Sequence, residues 1–226
     1  MIRKWAEDIK IKTRNMDRDA KVEYIMNYYW YHILLGVLMM GLLILGIYHV
    51  TWGRKKIDFS MVIVNQEINY ARDESIQNAF AEFSGLSPKH VQVDSDYMIS
   101  YDGVRLEGIN ESSFEKFFFG WSAGSMDAVV MPESFYRYCK EQNGRFVELE
   151  ELLEAAGAEA KADALRKQKK MFLRENGSCM GVYVEETGLS EYFIHDEQDP
   201  YVLVFPTDLK NKGAAGKFLE YALEGV

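Results

Sequence analysis

The residues best placed to hold a ligand fall in two short stretches and at one aromatic position. Asn65, Gln66 and Glu67 follow a β-branched apolar run at 57–64, and Pro132, Glu133 and Ser134 follow a second apolar run at 127–131. Open α/β sheets hold ligands outside the carboxyl ends of their strands, so amides, carboxylates and a hydroxyl at two such ends suit a small polar solute. A helix starting at Glu133 would add free backbone N–H groups to the same place. Trp121 would supply a stacking surface. Each of these residues also has a plainer reading: loop and capping residues in the two stretches, and core packing for Trp121, which continues the helical stripe Phe114, Phe117, Phe118.

Catalytic chemistry has little material here. The chain carries no Gly-rich dinucleotide fingerprint, P-loop, nucleophile elbow, His-Glu-x-x-His or Cys-x-x-Cys. Of the four histidines, His32 and His49 lie in or beside a long apolar run, which leaves little for general acid/base work. The stretch from His195 to Asp199 has metal-ligand residue types, but its side chains are consecutive and read as a solvated acidic loop. Asp94, Asp96 and Asp102 lack the sixth-position glycine and twelfth-position acid of a calcium loop. We therefore expect no enzyme activity, no metal and no cofactor. Cys139 and Cys179 exclude a disulfide framework and leave a single bridge open; Cys139 also fits the apolar face of a helix.

Charge divides the chain. Residues 1–56 hold ten Lys/Arg against five Asp/Glu, and residues 57–226 hold sixteen against thirty. An acidic body lacks the concentrated cationic surface that phosphate binding needs, so nucleic acid is not an expected partner.

The boundary between head and body is apolar. No Asp, Glu, Lys or Arg occurs from Tyr24 to Gly53. Residues 30–52 alone would make about 34 Å of helix, against a hydrocarbon core of about 30 Å. Tyr28, Tyr29, Trp30 and Tyr31 stand before the run, and Tyr48 and Trp52 after it, as in interfacial aromatic belts. A cleaved signal peptide would need a much shorter positive region and a small-residue cleavage site, so the segment reads as a signal anchor. Seven Lys/Arg precede it, against Arg54, Lys55 and Lys56 after it. This points to a cytoplasmic tail (1–29), a membrane helix (30–53) and an extracytoplasmic domain (54–226). Residues 1–20 read either as an amphipathic helix with Ile2, Trp5 and Ile9 on one face or as a disordered charged tail.

Beyond residue 56 strand-like and helix-like patterns alternate. Strands are expected at 57–64, 89–94, 96–103, 127–131, 181–185, 192–194 and 201–205. Helices are expected from an Asp73 cap to Gly85, from Ser112 or Ser113, at 133–142, over 150–174 and at 211–223. The expected class is α/β with a mostly parallel sheet.

Two stretches resemble the extracellular solute-binding proteins of the type 2 periplasmic-binding-protein fold. "AGSMDAVVMPESFYRYCKEQNGRFVELEELL" is similar to that family's small-residue turn, Asp-led strand and following helix, and "YVLVFPTDLKNKGAAGKFLEYAL" to its closing strand and Asn-capped last helix. The resemblance implies a binding fold, here reduced in one lobe to little more than residues 150–195 and carrying an N-terminal membrane anchor. "KVEYIMNYYWYHIL" also looks like the start of single-span bacterial membrane proteins. Together these imply a non-enzymatic subunit or sensor at the outer membrane face, with a membrane protein or a small solute as partner. The alternative is a receptor that delivers a sugar or peptide to an importer. The apolar run carries a direct expectation: the protein stays in the membrane pellet through alkaline carbonate washing, and release into the wash would exclude a spanning segment.

Overall fold

The computed structural model describes residues 10–51, 56–103, 112–158 and 172–224, which form two compact units dividing between Lys55 and Lys56. The first unit is dominated by helix α1 (Arg18–Thr51). Asp17 starts it, its carbonyl accepting the Lys21 N–H at 2.9 Å and its carboxylate the Arg18 N–H at 2.8 Å. Thirty-four residues make a helix about 51 Å long. Its apolar side chains have no protein cover, and a helix that is apolar all round needs an apolar surrounding. It is long and apolar enough to cross a membrane. Of the expected tail helix, only a helical turn at 10–12 is described; turns at 13–15 separate it from α1, and Ile2, Trp5 and Ile9 lie outside the described residues.

The second unit is an α/β domain built on β1 (Phe59–Ile63), α2 (Tyr70–Ser84), β2 (Val91–Asp94), α3 (Ser112–Ser122), β3 (Ala128–Pro132), α4 (Glu133–Glu141), α5 (Leu149–Ala155), β4 (Phe172–Glu175), β5 (Ser178–Tyr183), β6 (Tyr201–Val204) and α6 (Lys212–Ala222). The strand order is β2-β1-β3-β6-β5-β4. The sheet is mixed, which corrects the expectation of a mostly parallel one. β2, β1 and β3 run parallel, whereas the β3–β6, β6–β5 and β5–β4 pairings are antiparallel. One contribution is a hairpin: Asn176 (φ 51°) and Gly177 (φ 94°) take the left-handed backbone of a two-residue turn, so β5 returns antiparallel alongside β4. The long helix expected over 150–174 is not formed either. α5 stops at Ala155, with Gly157 left-handed (φ 75°) just beyond, and residues 172–175 are strand. Residues 159–171 lie outside the described ones.

Both faces of the sheet are buried. On β1, Phe59, Met61 and Ile63 pack with α2, α5 and α6, while Val62 belongs to the cluster on the other face with α3 and α4. β3 alternates in the same way, Ala128 and Val130 against Val129 and Met131. Phe59, Phe80 and Phe218 form an aromatic triad on the first face, with centroids 4.7–4.9 Å apart. α5 and α6 approach so closely that a Cβ on Gly216 would lie 2.2 Å from the Leu152 carbonyl oxygen. Cys139 and Cys179 are buried in the two different clusters, and no disulfide joins them.

Two expected strands are absent. Residues 95–100 join no ladder, and 190–192 form a 3₁₀ turn (Ser190–Tyr192) in place of a strand at 192–194. Asn69, not Asp73, caps α2, accepting the Arg72 N–H on its side chain.

Trp121 lies in the core, 8% exposed, with centroid distances of 5.6 Å to Phe117 and 5.0 Å to Phe146. Replacing it with alanine is expected to cost about 3–5 kcal/mol, a lost aromatic plus the cavity left behind. Denaturant unfolding checks this, and a change under about 1 kcal/mol would contradict a packing role.

Candidate functional site

Six of the seven expected site residues lie at the carboxyl edge of β1 and β3, and the side chains of four, Asn65, Gln66, Glu133 and Ser134, are engaged by the chain itself. Asn65 adopts a left-handed backbone (φ 56°), which asparagine tolerates better than most residues. Its side-chain amide pairs with one residue at two points: Nδ2 donates to the Ile99 carbonyl at 2.9 Å, and Oδ1 accepts the Ile99 N–H at 2.6 Å. Gln66, only 4% exposed, does the same to Ile194, donating to its carbonyl at 2.8 Å and accepting its N–H at 3.3 Å. A carboxamide presents the same donor and acceptor as a peptide group. Each amide therefore takes the place of a neighbouring strand, which is why 95–100 and 192–194 are held without a ladder.

The start of α4 is engaged in the same way. The Glu133 N–H donates to the Pro200 carbonyl at 2.9 Å, and the Ser134 N–H to Asp199 Oδ1 at 2.9 Å. The first two N–H groups of the helix are thus satisfied, and a carboxylate from a distant loop occupies the position where an anion is favoured at a helix N-terminus. Ser134 Oγ donates to Asp199 Oδ2 at 2.5 Å and so accepts from the Tyr101 hydroxyl at 2.6 Å. Glu133 accepts from Arg137 and, at 3.1 Å, from the Tyr183 hydroxyl. The Tyr201 hydroxyl donates to the Asn65 carbonyl. Pro132 is buried at the end of β3, where it pairs with Tyr201, and Glu67 points to solvent.

Electrostatics keep these phenols as donors. Burial raises Tyr101, pushes Tyr201 up to about 12 and, with the Glu133 carboxylate beside it, Tyr183 up to about 12. Ser134 has a carboxylate but no imidazole; an aspartate is too weak a base to activate a serine, and His195 bonds instead to Ser190 at 3.1 Å. The cluster has the chemistry of a clasp. Among the described residues no three His, Cys, Asp or Glu come together as metal ligands.

A second polar cluster adjoins the clasp. Asp73 accepts Arg72 Nε at 3.2 Å on one oxygen and Ser95 N–H and Oγ, at 3.2 and 2.5 Å, on the other. The Arg72 guanidinium lies over the Phe193 ring, 5.6 Å from its centroid. At the opposite end of the strands, Asp127 is 3% exposed and accepts N–H groups from Ser60, Lys210 and Asn211 at 2.9, 3.0 and 3.3 Å. Burial pushes its carboxyl up against the pull of these donors. Trp121 lies toward this amino end, away from the other expected site residues. Its edge lines a depression of about 260 Å³ with Asn143, Arg145, Thr207 and Asp208.

Sequence reading missed Tyr101, Tyr183, Asp199 and Tyr201 as parts of this edge. Asp199 stood in the acidic stretch read as solvated, and nothing local marks it as the partner of Ser134, sixty-five residues away. No family model, curated protein or solved structure matches the chain.

Asp199→Ala is expected to destabilise the domain by about 1–3 kcal/mol, because it strips acceptors from the Ser134 N–H and hydroxyl. It should also make the 190–201 stretch cleavable by dilute protease. Glu67→Gln, at an exposed site, should change stability by no more than about 0.5 kcal/mol. Equal behaviour of the two variants in thermal unfolding and limited proteolysis would contradict the clasp.

Proposed function

We propose that this chain is a membrane-anchored, non-enzymatic binding domain that acts as a subunit or sensor at the outer membrane face, with its tail in the cytoplasm. The observation that carries the reading is the closed carboxyl edge. The amides of Asn65 and Gln66, the Ser134 hydroxyl and the first N–H groups of α4 are the groups a solute would use, and each is bonded to the chain's own backbone or side chains. A ligand entering there would have to displace protein bonds of equal quality, which leaves it little net affinity.

Three further observations support the reading. The apolar helix α1 suits a permanent anchor. The two stretches that resemble solute-binding proteins correspond to β3–α4–α5 and β6–α6, and β3 pairs with β6, so they adjoin in space as parts of one scaffold. The Lys/Arg excess before α1 favours the cytoplasmic tail.

A domain of this kind exposes two distinct outcomes. The full chain in detergent should show no thermal shift with libraries of sugars, peptides and amino acids, and cross-linking in its native membranes should join it to another membrane protein. A solute at a hundred times its Kd would stabilise the fold by about 2.7 kcal/mol, or roughly 5–10 °C for a domain of this size. Such a shift, without a cross-linked partner, would overturn this reading in favour of the delivery receptor.

A further inference from the structure

The same edge carries an outward face that the clasp leaves unused. The stretch from Gln66 to Arg72 runs beside Phe193 and Ile194 and is pinned to them at both ends, by the Gln66 amide on the Ile194 backbone and by the Arg72 guanidinium over the Phe193 ring. Ile68 and Tyr70, on the stretch between the pins, are 42% and 75% exposed, and Ile194, whose backbone the Gln66 amide holds, is 64% exposed. Among the described residues of the α/β unit only two other large apolar side chains are exposed, Phe114 and Phe119, both on α3. Three of five therefore lie on two segments tied to each other by buried polar contacts, whereas single surface apolar residues are ordinarily scattered.

Charge selects the occupant of this face. Glu67, Glu74, Glu191, Asp196 and Glu197 are exposed on the same two segments and their flanks. No Lys or Arg occurs from residue 175 to residue 209, and the only cation on the 66–75 stretch, Arg72, is buried against Asp73. A second copy docked by a two-fold axis would set this acidic ring against itself. An anionic lipid surface would be repelled in the same way. A cationic segment with apolar side chains is drawn in by the ring and seated on the three apolar groups.

We propose that the Ile68, Tyr70 and Ile194 face is the docking site for a partner protein segment in which Lys or Arg alternates with large apolar residues. This rests on the reading of the domain as a partner-binding subunit and names the chemistry of that partner.

The test uses the full chain in nanodiscs of zwitterionic lipid, with empty nanodiscs as blank. The probe is a short fluorescent peptide of alternating lysine and leucine, read by anisotropy. Glutamate-for-lysine and glycine-for-leucine peptides should bind at least about tenfold more weakly, and Ile194→Ser with Tyr70→Ser should weaken the parent peptide by a similar factor. Asp196→Asn with Glu197→Gln should flatten the salt dependence of binding. Phe119→Ser should leave it unchanged. Equal binding by the Ile194→Ser and Tyr70→Ser variant, or equal weakening by Phe119→Ser, would overturn the proposal. So would self-association that Ile194→Ser abolishes, or binding of the chain to anionic vesicles through this face. A native partner cross-linked only elsewhere on the domain would overturn this surface and leave the subunit reading standing. Peptide binding without any native complex would do the reverse.

Discussion

A sheet buried on both faces leaves its peptide groups no water, so every N–H and C=O at the strand ends must find a partner within the protein. β1 shows how far this constraint reaches. Its residues are between 0% and 9% exposed, and it lies between β2 and β3 with helices on either side. At its amino end one carboxylate, Asp127, gathers N–H groups from β1 and from the approach to α6. At its carboxyl end the two amides of Asn65 and Gln66 each pair with a peptide group of another segment. These side chains do the work of strands where no strand lies alongside.

That solution shapes the carboxyl edge. A solute-binding crevice leaves donors and acceptors at the strand ends unsatisfied by protein and open to a ligand. Here the 190–201 stretch brings Asp199, Tyr201 and the Ile194 backbone over the ends of β1 and β3 and satisfies them. Burial keeps the surrounding tyrosines protonated, so they act as fixed donors. Ile68, Tyr70 and Ile194 stay exposed on segments that the Gln66 amide and the Arg72 guanidinium tie together.

The two units answer to different solvents. α1 is apolar on all sides and has no protein cover, whereas the α/β domain hides its apolar residues in two clusters and carries the chain's acidic excess.

Composition and periodicity were enough for some of this. The membrane-length helix follows from thirty residues without a charge, and β1, β3, α4 and α6 follow from apolar spacing that allows one geometry each. Trp121 belonged to a core stripe by the same logic. Asn176-Gly177 is a two-residue turn signal in the sequence, and it accounts for the antiparallel β4–β5 pair but not for the β3–β6 and β6–β5 pairings. The clasp was not legible. Asn65 reaches Ile99, Gln66 reaches Ile194 and Ser134 reaches Asp199, over separations of 34, 128 and 65 residues, and an amide or a serine looks alike in sequence whether it faces solvent or a buried peptide group. Local pattern determines which segments become helix or strand, because it depends on neighbours a few residues apart. Which polar groups are left for a ligand depends on where distant segments come to rest, and only the tertiary structure decided that.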